Sequence, residues 1–144
     1  MNTAKLLEVL EVYFEAFAEH DPIRRGELLA QCLTSDCAIW GHSQVYAGHV
    51  AISEKIAGFH TNFPDCRFVL ASGLMTFDNI VRSANAIVRR DGSVVARCET
   101  VSEIAPDERL CRIVPLWETN LPPLPESWPA HLAMQPLPRV SDAA

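Results

Sequence analysis

The sequence predicts an α+β fold, with helices first and strands after. Apolar residues recur at helical spacing in three segments before Pro64. Beyond Pro64 the pattern changes to long strand-like runs. The separators between those runs are short turn clusters, which suit antiparallel neighbours, because parallel strands need a dozen or more linking residues. Helices followed by hairpins make the α+β class.

The first helix carries Leu6, Leu10, Tyr13 and Phe17 on one line, with Glu8, Glu11, Glu15 and Glu19 off it. His20-Asp21-Pro22 ends it, since proline disfavours helix in the residue before it. Asp21 then caps a second short helix that has Pro22 at its first position and continues through RRGELLAQCL. Thr34-Ser35-Asp36 reads as a turn, followed by a strand over about residues 37–41 and a small strand at 44–46. Gly48 precedes a third helix, HVAISEKIAGFHTNF, whose apolar line is Ile52, Ile56, Phe59 and Phe63. Four strands should follow: RFVLASGLMTF, NIVRSANAIVRR, SVVARCETVSEIA and RLCRIVPLWE. Asp78-Asn79, Asp91-Gly92 and Pro106-Asp107 separate them, and Asp91-Gly92 is the strongest hairpin signal. Pro115 lacks an N–H for a ladder and should mark a bulge or an edge. From Thr119 the chain changes character. Six of its ten prolines lie there, so the segment should be extended, with Trp128, Leu132 and Met134 available to pin it. The expected organisation is one domain over residues 1–118 and a Pro-rich extension over 119–144.

The 144 residues are 49% hydrophobic, enough for a full core, and carry a formal charge of −6. There is no basic stripe, so neither nucleic acid nor an anionic membrane is an expected partner. Glu8, Glu11 and Glu15 interrupt the N-terminal apolar run, unlike the uncharged centre of a signal peptide. No run approaches the roughly 18 apolar residues of a membrane span. A cytoplasmic location is expected. Cysteines 32, 37, 66, 98 and 111 are odd in number and irregular in spacing, which suits reduced packing residues better than a disulfide framework. His20, His42, His49, His60 and His131 show no metal-binding spacing, and no glycine-rich phosphate loop is present, so neither a metal nor a nucleotide cofactor is expected.

The order helix, short helix, strand, helix, long meander resembles the SnoaL-like group of the nuclear transport factor 2 (NTF2-like) superfamily. The segments YFEAFAEHDPIRRGELLAQCLTSDCAIW, GHVAISEKIAGFHTNFPDCRF and RRDGSVVARCETVSEIAPDERLCRIVPLWE carry the resemblance, over about residues 5–118. It implies an NTF2-like, cystatin-like cone, in which three N-terminal helices pack on a strongly curved antiparallel β-sheet. The pocket would lie at the wide end. It also implies a homodimer, often through the outer face of the sheet. The superfamily holds ketosteroid isomerases, polyketide cyclases and dehydratases, and also proteins that only bind or dimerise, so fold alone does not assign function.

Proton abstraction beside a carbonyl needs a base near the carbon and a donor where charge develops on oxygen. Ketosteroid isomerases use an Asp base, with a Tyr and a protonated Asp as donors. Carried over by position, the Tyr, eight residues before the Asp that closes the first helix, falls on Tyr13. The base falls on Gly41, so that acid is absent and the cavity should widen there. The second donor falls on Thr100 or its neighbour Glu99, and the spacing from Gly92 selects Thr100. His42 is the titratable group nearest the gap, although strict alternation would turn Trp40 and His42 away from it. Glu118 lies where relatives often carry an acid, and it could serve as base if desolvated. The catalytic candidates are therefore Tyr13, His42 and Glu118. The substrate-binding candidates are Phe17, Trp40, His60, Phe63, Asn85, Thr100 and Trp117. Arg82, Arg97, Glu99, Glu103 and Arg112 should occupy the outer face as cross-strand charges.

Three readings follow from the sequence. The chain could be a cofactor-free isomerase, cyclase or dehydratase acting on a hydrophobic carbonyl compound by acid–base chemistry. It could be a non-catalytic binding module for such a molecule. It could also be a dimerising scaffold whose cavity is plugged by Trp40, Phe63 or Trp117.

Overall fold

The computed structural model describes residues 2–41, 43–71, 73–117 and 125–132. Helix α1 spans Thr3–Ala18, begun by Asn2, whose side chain accepts from the Lys5 N–H at 2.8 Å. It buries Leu6, Val9, Leu10, Tyr13, Ala16 and Phe17, a wider stripe than the four-residue line suggests. Helix α2, Pro22–Cys32, starts as expected, with the Asp21 carboxylate accepting from the N–H groups of Ile23 and Arg24. Arg25 is buried and ties the helices together, donating to Ser53 Oγ at 2.8 Å and to the Glu19 carbonyl at 2.8 Å.

Strand β1 is Leu33–Trp40 and β2 is Val45–Ala47; helix α3 spans His49–Asn62. The remaining strands are β3 Cys66–Leu70, β4 Met75–Phe77, β5 Ile80–Arg89, β6 Val94–Ile104 and β7 Leu110–Trp117. They form one sheet in the order β2-β1-β7-β6-β5-β3, with β4 also pairing β5. The helices and the inner face of the sheet share one apolar core, in which Leu28, Leu29, Ile39, Ile52, Ile56, Leu110 and Ile113 are fully buried.

Four expectations need correction. The sheet is mixed, because β1 pairs β7 in parallel while every other pairing is antiparallel. That parallel pairing is long-range, so no linking turn is required of it. Thr34-Ser35-Asp36 is not a turn before the strand but part of it. Strand β1 advances from Leu33 to Ala38 while β7 advances only from Leu110 to Arg112, so the polar triplet bulges outward. RFVLASGLMTF is two strands, which pair with successive halves of β5: Leu70 meets Asn85, and Met75 meets Arg82. The tail is not wholly extended, since Ala130–Leu132 forms a 3-10 turn, with Leu132 N–H donating to the Pro129 carbonyl at 3.0 Å. Trp128 and Leu132 are exposed, while Met134 lies outside the described residues.

The turns bear the expected chemistry. Gly92 takes a φ of +89° between β5 and β6, and Asp78, between β4 and β5, adopts +53°. On the outer face Arg82 pairs with Glu99 at 2.7 Å and Arg112 with Glu103 at 3.8 Å. Pro115 pairs with Thr100 of β6 and lies beyond Ile113, the last β7 residue in register with β1, so β7 is an edge on that side from there on. Among the described residues no helix is long and apolar enough to cross a membrane.

Candidate functional site

Two adjoining cavities lie between the helices and the sheet. The inner hollow holds about 50 Å³ and the outer cleft about 690 Å³. They share Lys55, Phe59, Ile87 and Trp117, which form the neck between them. The cleft falls within the 300–1,000 Å³ typical of small-molecule sites. The hollow has room only for a small head group.

The walls are largely aromatic. Phe17 packs against Tyr13 at 5.2 Å, Phe68 at 5.1 Å and Phe59 at 6.0 Å between ring centroids, and Phe68 reaches Trp117 at 6.2 Å. Alternation along β5 and β6 turns Asn85 and Thr100 into this apolar space. Both are buried, and Asn85 Nδ2 donates to Thr100 Oγ1 at 2.7 Å. The other atom of the amide, Asn85 Oδ1, is buried with no hydrogen-bond partner among the described residues. An unmatched buried acceptor costs about 1–3 kcal/mol, which a ligand donor would recover. Tyr13 lines the same hollow, and burial, reinforced by the nearby thiols of Cys32, Cys37 and Cys98, raises its phenol well above the ordinary range. A phenol so raised stays protonated at neutral pH and can donate a hydrogen bond.

No protein-family profile and no curated protein matches the sequence. Solved structures do resemble the chain. A SnoaL-like family protein from Agrobacterium tumefaciens, provisionally described as an isomerase, superposes with a TM-score of 0.73 at 24% identity, covering 81% of this chain and all of its own. The fold is SnoaL-like. A SnoaL-like protein from Jannaschia sp. CCS1, provisionally described as a polyketide cyclase, gives a TM-score of 0.63 at 16% identity over 80% of this chain and 86% of its own. An NTF2-like protein of unknown function from Exiguobacterium sp. 255-15 gives 0.58 at 16% identity over 76% of this chain and 98% of its own. At such identities the likeness is one of architecture.

Within this SnoaL-like fold, the hollow brings together Tyr13, Phe17, Asn85, Thr100 and Trp117, while Phe63 lines the outer cleft. Trp40 lines neither cavity. It is 46% exposed, because alternation sends Ile39 inward and Trp40 out. Glu99 faces the outer side and pairs with Arg82. His42 and Glu118 lie outside the described residues. Gly41 does not widen the cavity as expected. A Cβ there would stand 2.8 Å from Tyr46 Cε2 and 3.0 Å from the Gln44 carbonyl, so the space is already filled by Tyr46, itself a wall of the cleft.

His60 also lines neither cavity, and it is structural. Its Nε2–H donates to the Phe17 carbonyl, and its ring stacks on His20 at 4.0 Å. Desolvation holds it below the usual histidine range, against the opposing pull of that carbonyl. As pH falls below about 6.5 the unfolded chain takes up this proton before the folded one does, so stability is lost. The thermal midpoint is expected to drop between pH 7.5 and 5, with a shallower drop in His60→Gln. Equal slopes for the two proteins would show that His60 is not the group responsible.

Sequence reasoning missed Lys55. It stands three residues after Ile52 and four before Phe59, on the apolar line of α3, and that placement was the available signal. Cys32, Cys37 and Cys98 are buried, Cys66 and Cys111 less so, and burial pushes the Cys32 and Cys37 thiols up to about 12.

Proposed function

We propose that the chain is a small-molecule pocket protein that acts on a hydrophobic carbonyl compound, as an isomerase, cyclase or dehydratase working by acid–base chemistry without a cofactor. The observation that carries this reading is the convergence of a protonated Tyr13 phenol and the Asn85–Thr100 pair on one apolar hollow. The phenol would hold the carbonyl oxygen as it gains charge, in a setting where water is scarce and a donor is worth most. Asn85 Oδ1 would accept from a hydroxyl of the ligand, so the preferred compound carries a hydroxyl near its carbonyl. His42 or Glu118 would move the proton. The descriptions of the Agrobacterium and Jannaschia proteins as isomerase and polyketide cyclase support the same class of chemistry.

One observation favours the non-catalytic reading. No carboxylate occupies the position of Gly41, and Tyr46 fills the room that one would need. A homodimer through the outer face of the sheet belongs to the proposal. The apolar Val101, Val114 and exposed Leu116 lie in adjacent strands among the outer-face charges and would be covered by it.

Native mass spectrometry of the protein with a panel of hydrophobic hydroxy-enones tests both parts. The expected result is a dimer that retains one ligand per protomer, with retention weakened at least about tenfold by Asn85→Leu, the loss of one buried hydrogen bond. A monomer would remove the dimer. Failure of every compound to bind would overturn the pocket reading.

A further inference from the structure

We propose that Lys55 is a nucleophilic amine that condenses with the carbonyl of a hydrophobic ligand, forming an imine at the neck between the outer cleft and the inner hollow. This rests on the pocket reading above and adds a covalent step to it.

The placement comes from α3. Its apolar line carries Ile52, Ile56 and Phe59 toward the core, and Lys55 projects from the same side into both cavities. The ammonium lies 5.3 Å from the Tyr46 ring centroid. Among the described residues no carboxylate stands within ion-pair distance of it. The other titratable groups of the described walls are Glu54 on α3, Tyr46 on β2 and Tyr13 on α1, and Cys98 on β6 acts on Lys55 from outside the lining. Burial holds Lys55 below the ordinary lysine range, and Cys98 pulls weakly the other way. The Cys98 thiol is itself raised by burial, so at neutral pH it supplies no countercharge.

The choice of cation is also informative. Lys5 and Lys55 are the only lysines among twelve basic residues, the rest being arginine. Arginine cannot lose its proton in a protein, whereas a desolvated lysine can. Lys5 is exposed and pairs with Glu8 at 3.7 Å. The neck therefore holds the one partly buried lysine among the described residues.

The step balances without an oxidant or reductant. The neutral amine's lone pair forms a C–N bond to the carbonyl carbon, and the C=O π pair moves to oxygen, which takes a proton lost from nitrogen. The resulting hydroxyl takes a second proton from solvent and leaves as water, while the nitrogen lone pair forms C=N; the nitrogen then returns its remaining proton to solvent. One amine and one carbonyl give one imine and one water. The open outer cleft gives that water a way out.

The test uses the full chain with 3-phenylpropanal and sodium cyanoborohydride, followed by peptide mapping. Lys55 is expected to be alkylated several-fold faster than Lys5, because the cleft gathers the apolar aldehyde beside it and desolvation favours the neutral amine. Lys55→Arg should abolish the fast reaction. Binding of the unreactive 3-phenylpropan-1-ol, followed by native mass spectrometry, separates the two levels of the argument. If the alcohol binds but Lys55 is trapped no faster than Lys5, the imine is overturned and the pocket stands. If the alcohol does not bind and Lys55 is not trapped preferentially, both fall. The comparison within the wild-type chain holds even if the variant fails to fold.

Discussion

Replacing Tyr13 by phenylalanine is expected to slow turnover of a hydrophobic enone by about 10²–10³-fold, the usual cost of removing one donor from the site of a developing oxyanion. The substitution deletes a single oxygen from a ring packed at 5.2 Å against Phe17, and the ring itself stays. Stability should change by less than about 1 kcal/mol, the size of one net hydrogen bond. Rate and stability would thus respond very differently, which separates a chemical role from a packing role. The effect should persist across the neutral pH range, because burial keeps the phenol protonated there. Steady-state kinetics on the wild type and the variant decide the matter. Equal rates would remove Tyr13 from the reaction.

The second large effect is structural. Ile39→Ala is expected to cost about 2–5 kcal/mol of stability, the range for truncating a buried isoleucine. Ile39 is 1% exposed, sits in the part of β1 that pairs with β7, and lines the hollow. Truncation would remove apolar contacts and leave a void continuous with the existing space. Urea unfolding should show the midpoint shift with little change in slope. A loss below about 1 kcal/mol would mean that the surroundings collapse to fill the gap. The same variant should admit bulkier head groups, so its ligand preference ought to move as its stability falls.

What was legible in the sequence was local. Asp21-Pro22 announces a helix start by supplying an acceptor and a preset φ at adjacent positions, and the structure uses both. Asp91-Gly92 tolerates the left-handed backbone that a tight hairpin requires. Asn85 and Thr100 fall inward by simple alternation. The misreadings came where the deciding neighbour is distant in the chain. Thr34-Ser35-Asp36 has turn chemistry, and Thr34 Oγ1 does bond Asp36 Oδ1 at 2.8 Å, yet the triplet is carried in a strand because Leu33 and Ala38 on either side are held by β7. Gly41 looked like an opening because its own side chain is missing, but Tyr46 fills the gap from the next strand. Lys55 lies on the apolar line of α3, but a lysine on a helix is ordinarily solvated; the arrangement of α3 over the sheet shows it facing inward.

The pairing of Leu33 with Leu110 and Ile39 with Ile113 has a kinetic consequence. Until the last strand is synthesised and docks, β1 has only the three residues Val45–Ala47 as sheet partner, and the other strands form a separate ladder ending at β6. Closing the contact means bringing together segments more than seventy residues apart in the chain. The β5–β6 and β6–β7 hairpins join neighbours in the chain, so the pairing of β7 with β1 is expected to be the slower step in closing the chamber.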